Sequence, residues 1–305
     1  MKKIITGTIL AAAVTALGAS FAFAQEPVQV NTQGIVFEIP AQFSDLLTVQ
    51  EDGLEDGMIV AVYDKGSVEA AEAMGQGGNG AGFLFGISAV PEAKMKELRC
   101  GAMDGMEVFA EDEDIYYVFN HPTDVTLVRD TNEEMDAAME VWGEMNDWAY
   151  QEVRQEILAN NPELDDEFYT NTELDMFLAQ AAFKPGTEYE LRSVDFGPDP
   201  LDPSVLIDND YIEDLADDFT YEELPDVEAP DGQYYVIAFN MDGEEIRFDF
   251  FDADLNMIRE TKTIDGDEYT TIYQSIPKEM DEDDTTTGLV REMCAAIANG
   301  GEIDD

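Results

Sequence analysis

One histidine stands in the whole chain, His121, within Asn120-His121-Pro122-Thr123-Asp124. As a general base it would need a nucleophile to activate and a carboxylate to orient it, for which Asp124 is the nearest. No G-x-S-x-G segment marks a nucleophile, so His121 reads as a local hydrogen-bonding residue at a strand end. A single imidazole also leaves histidine-based zinc or copper sites short of ligands. Gly75-Gln76-Gly77-Gly78-Asn79-Gly80 has the glycines of a phosphate loop but lacks its lysine and hydroxyl, so it reads as a connector. Asp252-Ala253-Asp254-Leu255-Asn256 matches the first three ligand positions of a calcium-binding EF-hand loop. The sixth position is Met257 rather than Gly and the twelfth is Thr263 rather than Glu. That leaves Asp252, Asp254 and Asn256 as candidate ligands of a looser calcium site, with Asp208-Asn209-Asp210, Glu213 and Asp214 as a second acidic candidate. The alternative for both is a solvated acidic turn.

Carboxylate pairs suited to glycosidic chemistry are abundant, and no motif selects one of them. Cys100 and Cys294 lack zinc-site spacing. An oxidising compartment permits a disulfide between them. Cys294 also falls on the apolar side of a helix with Leu289, Val290, Met293 and Ile297, where it would serve as a small buried apolar residue. No residue is assigned to catalysis or to a bound cofactor, and calcium is the one cofactor left open.

The elements that must position these groups belong to a very acidic chain of 305 residues. It has 69 Asp plus Glu against 15 Lys plus Arg and a formal charge of -54. Such a chain repels phosphate backbones and anionic membrane surfaces, which excludes nucleic-acid binding as a function. Its 45% hydrophobic and 10% aromatic residues are enough to fold. The charge is uneven: residues 25–160 hold 28 acids and 6 bases, residues 161–305 hold 41 and 7, and 195–231 hold 14 acids and no base. The N-terminus has Lys2 and Lys3, an apolar run from Ile4 to about Leu17, then Ala22-Phe23-Ala24. That is the pattern of a secretory signal peptide cleaved after Ala24. No cysteine follows for a lipid anchor and no later stretch approaches a membrane span, so the mature chain is expected outside the cytoplasm without membrane insertion.

Periodicity predicts an α+β protein of two parts, residues 25–162 and 163–305, each an antiparallel sheet covered by helices. In the first part, strands are expected at Gly34 to Pro40, Met58 to Tyr63, Gly82 to Ile87, Met106 to Phe109, Ile115 to Asn120 and Val125 to Val128. Short helices fall at Ser67 to Met74 and from Pro91, as first helical residue, to Arg99. A long helix opens with a Thr131–Glu134 capping box, and its Met135, Met139, Trp142, Met145, Trp148 stripe reads as core rather than as a cofactor groove. In the second part a helix opens with a Thr170–Glu173 capping box and ends near Phe183. Tyr189 to Phe196 is a strand, and Asp195 to Asp231 is a surface excursion with at most a short helix. A four-stranded meander follows, at Tyr234 to Phe239, Glu245 to Phe251, Met257 to Ile264 and Tyr269 to Ile276, with Asp-Gly turns. A closing helix spans Leu289 to Ala298.

The stretches Gly34 to Pro40, Ala61-Val62-Tyr63, Gly82-Phe83-Leu84-Phe85, Leu98-Arg99-Cys100-Gly101 and Asn120 to Asp124 resemble an uncharacterised extracytoplasmic domain of gut Firmicutes. Tyr235-Val236-Ile237, Arg247 to Phe251 and Asn256 to Arg259 are similar to its partner region. The strand order of the first part also resembles, more loosely, the PsbP-like fold. The resemblance implies a secreted or envelope protein and supplies no active residues to carry over. The signal peptide together with the absence of a nucleophile–base set points to a non-catalytic binding or interaction protein for an unknown protein or small-molecule ligand. The other readings are an envelope hydrolase using a carboxylate pair and a calcium-dependent adhesive or scaffold module. Intact mass of the exported protein is expected to place Gln25 at its N-terminus; retention of residues 1–24 would overturn the signal-peptide reading.

Overall fold

The five-stranded sheet has near-continuous apolar central strands and is packed on one face and partly on the other, whereas the seven-stranded sheet packs its helices on one face. The computed structural model describes residues 26–54, 57–76, 80–166, 171–206, 210–232, 234–241, 244–264, 266–278 and 285–300. The segment read as a signal peptide, Gly77 to Asn79, Thr170, Asp208, Asn209, the Asp242-Gly243 turn and Asp265 lie outside them. Among the described residues fourteen strands form three sheets in an α+β fold.

The first part opens with a hairpin of β1 (Val28–Thr32) and β2 (Ile35–Ile39). Gln33 and Gly34 turn it with φ of 47° and 91°, the pair of positive φ values that a two-residue hairpin loop requires. Then come β3 (Leu47–Gln50), β4 (Met58–Asp64), α1 (Lys65–Ala73), β5 (Phe83–Pro91), α2 (Glu92–Arg99), β6 (Met106–Asp112) and β7 (Ile115–Asn120). They make an antiparallel sheet in the order β3-β4-β5-β7-β6. The expected capping box starts α3 (Asn132–Trp148), which passes through a π-helical stretch at Ala149–Val153 into α4 (Arg154–Asn160). Trp142, Met145, Trp148, Val153 and Ile157 pack against Val60, Val62, Phe85, Ile87 and Phe119, so most of the stripe is core. Met139 points away and is exposed.

The second part contains α5 (Glu173–Phe183), β8 (Tyr189–Ser193), β9 (Gly197–Leu201), α6 (Asp210–Asp217), β10 (Phe219–Glu223), β11 (Tyr234–Met241), β12 (Glu244–Phe251), β13 (Met257–Ile264), β14 (Asp267–Pro277) and α7 (Thr286–Ala298). The sheet order is β10-β14-β13-β12-β11-β8-β9. Residues of α5, α6 and α7 share a core with one face of it, including Leu178, Ile212, Val290, Phe248, Phe250 and Tyr273.

Several expectations are corrected. The meander is present, but it is the middle of a seven-stranded sheet. Asp195 to Asp231 is no surface excursion: it supplies β9, α6 and the edge strand β10. Its acids hide an amphipathic pattern in which Ile212, Leu215, Ala216, Phe219 and Tyr221 are buried. Val125 to Val128 pairs with no strand; it is tied down instead by bonds such as Gly82 N–H to Thr126 O at 2.8 Å. The α5 capping box uses Thr172 and Asp175, not Thr170 and Glu173, and Pro91 is the N-cap of α2 rather than its first helical residue. Leu164 packs on the first core, and Asp165 exchanges backbone hydrogen bonds of 2.9 Å with Glu111.

The two cores share no residue, and α2 packing on α5 joins them. Arg99, 6% exposed, donates from Nη1 to Asp217 at 2.5 Å and from Nη2 to the carbonyl of Ala216. Asn171 Nδ2 donates to the carbonyls of Arg99 and Gly101 at 2.9 and 3.3 Å.

Asp175 lies near this seam, its carboxylate accepting from the backbone and hydroxyl of Thr172, both at 2.7 Å. Burial outweighs those bonds and lifts its pKa from 3.8 to about 6. The folded state therefore holds the proton more tightly than the unfolded chain does. That stabilisation is complete below pH 3.8 and is lost as pH rises through about 6. The expected outcome is that Asp175→Asn flattens the fall in melting temperature over that window; an unchanged slope would show that Asp175 does not drive it.

Candidate functional site

The face of the five-stranded sheet opposite α3 and α4 is only partly covered. α1 lies over one end, and α2 packs over the other with Met95, Val90, Met103, Val108 and Val118. Between the helices is a cavity of about 1150 Å³. Val68 and Ala71 of α1 and Leu98 of α2 line its sides, and Thr48 and Gln50 of β3 line its edge. The floor follows from register: Met58, Ser88 and Val118 lie in one row across β4, β5 and β7, and Gly86 pairs with Asn120 in the next. A Cβ on Gly86 would stand 2.7 Å from Met58 Sδ and 3.1 Å from the Val60 carbonyl, so glycine makes room for Met58 across the floor.

At the centre, Asn120 Nδ2 donates to Ser88 Oγ at 2.9 Å and to the Val118 carbonyl at 3.1 Å. Among the described residues nothing accepts from the Ser88 hydroxyl and nothing donates to Asn120 Oδ1. The Ser88–Asn120 pair thus leaves one donor and one acceptor free among the described residues, in a cavity that Thr48, Gln50, Tyr63, Glu72 and Lys94 line as well as apolar side chains. Among the described residues its charged lining residues are Glu72 and Lys94, the latter 2.7 Å from Glu97.

Each wall is held by an arginine. Asp64, at the end of β4, caps α1 by accepting from Ser67 N–H at 2.6 Å. Arg129 reaches the same carboxylate at 2.8 and 3.2 Å, and Ser67 Oγ at 2.9 Å. Two glycines make the close approach feasible. A Cβ on Gly66 would meet the Arg129 guanidinium at 3.1 Å, and one on Gly82, at φ +74°, would meet Asp64 O at 2.6 Å. The other wall, α2, is fixed through Arg99.

The residues singled out by sequence sit elsewhere. His121 packs its ring 5.0 Å from that of Tyr150, and its Nδ1 lies 3.3 Å from the Pro122 carbonyl; among the described residues no serine, cysteine or carboxylate bonds to it. Cys100 and Cys294 are both free thiols rather than a disulfide. Cys100 bonds the carbonyls of Lys96 and Ala179 at the seam, whereas Cys294 is inside the second core. Burial raises the pKa of Cys100 and lifts that of Cys294 to about 12, so both stay protonated at neutral pH. Asp252 is paired with Arg291, Asp254 Oδ1 caps Asn256 N–H at 3.2 Å, and the Asn256 carbonyl accepts from Ser275 N–H at 2.8 Å. Asp252 and Asn256 thus anchor the β12–β13 turn to α7 and β14, and Asp254 closes the turn itself. Among the described residues no three His, Cys, Asp or Glu side chains cluster as a metal requires. Burial raises the carboxyl pKa of Glu156, Asp175 and Glu260, and none of the three lines this cavity.

No family model, curated protein or solved structure matches the chain. Among the described residues no helix is long and apolar enough to cross a membrane.

Ser88, Asp64 and Arg129 were not marked by sequence motifs, although Asp64 directly before a helical segment is an N-cap signal. Because Asp64 is 3% exposed, Arg129→Met leaves a buried charge without its cation, and a loss of about 3 kcal/mol in chemical denaturation is expected. Adding Asp64→Asn should recover part of that loss; strictly additive losses would rule out the coupling.

Proposed function

We propose that this chain is a non-catalytic, extracytoplasmic binding protein whose ligand is a small neutral amphiphile held between α1 and α2. The observation that carries the reading is the cavity of about 1150 Å³, part apolar, with the Ser88–Asn120 pair at its floor. That volume suits a small organic molecule. The apolar part of the lining, Val68, Ala71, Val90, Leu98 and Val118, favours a hydrocarbon body, and the free donor and acceptor of the Ser88–Asn120 pair match an amide or hydroxyl. Ionised ligands fit poorly, because desolvating a charge there would lack a floor counter-ion. The location outside the cytoplasm rests on Lys2-Lys3, the apolar run and Ala22-Phe23-Ala24.

Calorimetric titration with octanamide tests the reading. Saturable binding is expected, and Ser88→Ala should weaken it about tenfold, equivalent to about 1.4 kcal/mol for one hydrogen bond. Octane should bind wild type and Ser88→Ala alike, and Thr48→Trp, which fills the edge, should abolish both. Absence of saturable binding by either molecule removes the proposal.

A further inference from the structure

The second sheet has its own open face, remote from the cavity. α5, α6 and α7 pack on the side bearing Phe248, Phe250 and Ile258, so Arg247, Asp249, Phe251 and Arg259 alternate onto the other. Asp249 is 1% exposed although no helix shares a core with that side. Burying a carboxylate there is unfavourable unless it is well paired, and both of its oxygens are. Oδ1 accepts from Arg247 Nε at 2.5 Å, and Oδ2 accepts from Arg259 Nε at 2.9 Å and from its Nη2. The guanidiniums are further oriented by rings: Arg247 lies 5.3 Å from the Tyr234 centroid and Arg259 5.3 Å from that of Phe251.

Two cations share one anion, which leaves a local positive charge on a chain of net charge -54. No second carboxylate among the described residues pairs with either arginine, and their side chains are 30% and 32% exposed. Arg192 on the same face differs, being paired with both Glu190 and Glu245. Thr261 lies opposite Arg247 and Thr270 opposite Thr261, which adds hydroxyls beside the arginines. Planar guanidinium forks held in place suit an acceptor with two oxygens. The charge of the whole molecule turns away polyanions, so the fitting ligand is small and singly or doubly charged.

We propose that Arg247 and Arg259, oriented by the buried carboxylate of Asp249, bind a small oxyanion, carboxylate or phosphate, on the open face of the seven-stranded sheet. The test follows the arginine Nε–Hε resonances of the full chain during titration with acetate and with inorganic phosphate, ionic strength being held constant with chloride. Saturable shifts at Arg247 and Arg259 are expected. Saturation by acetate alone assigns a carboxylate ligand, and saturation by phosphate alone a phosphoryl ligand. Shifts no different from those in chloride alone would overturn the proposal. Arg259→Lys keeps the charge but loses the fork, and should bind at least tenfold more weakly. Asp249→Asn makes the face more positive while releasing both arginines. Weaker binding supports oriented recognition, whereas tighter binding would mean bulk attraction and refute it. Should Asp249→Asn fail to fold, wild-type affinity in Arg259→Lys is the refuting result.

Discussion

A guanidinium buried at the end of another element's helix holds this molecule together. α6 carries Asp214 and Asp217 near its C-terminus and no base in its last turn, so its own side chains oppose its dipole. Arg99, from the last turn of α2 in the other half of the chain, supplies the missing cation to the Ala216 carbonyl and to Asp217. One contact therefore does two things: it stabilises α6 and fixes α2. Because α2 is also a wall of the cavity, the shape of the candidate site depends on the second core as well as on its own sheet. Lys96 lies 4.8 Å from the Phe183 ring centroid and extends the same junction.

The scarcity of bases gives each of these arginines a distinct structural role. Arg129 anchors α1 through Asp64, Arg99 joins the halves, and Arg247 with Arg259 solvates Asp249 on an open sheet face. Asp64 and Asp249 are buried carboxylates matched by guanidiniums, whereas in the Arg99–Asp217 pair it is the arginine that is buried. Many of the other acids are displayed outward, where water and salt screen them, while Asp175 and Glu260 are buried on Thr172 and on Lys262 with Tyr273. Net charge thus describes the surface of this protein, and the pairing of a few arginines describes its interior.

Much of the fold was legible because local periodicity is a local property. The α3 capping box at Thr131–Glu134, the Trp142, Met145, Trp148 spacing and the paired strands of the meander all appear within a few residues of one another. The acidic stretch from Asp195 to Asp231 was misread because counting charge masked the apolar positions Ile212, Leu215 and Phe219 that decide its burial. The Thr172–Asp175 box was displaced because two threonines near the helix start offer similar signals, and packing selects between them. Val125 to Val128 has strand composition but bonds singly to β5 and α1 residues rather than forming a ladder.

Residue types and their order alone determined the α+β class, the expectation of a signal peptide and the lack of a recognisable nucleophile motif. These depend on composition and on neighbours along the chain. The cavity, the Ser88–Asn120 pair and the Asp249 cluster were decided only by tertiary structure. Ser88 and Asn120 are 32 residues apart, Asp64 and Arg129 are 65 apart, and Arg99 and Asp217 are 118 apart. No local pattern specifies such distances; strand register and helix packing do, and they exist only once the chain has closed on itself.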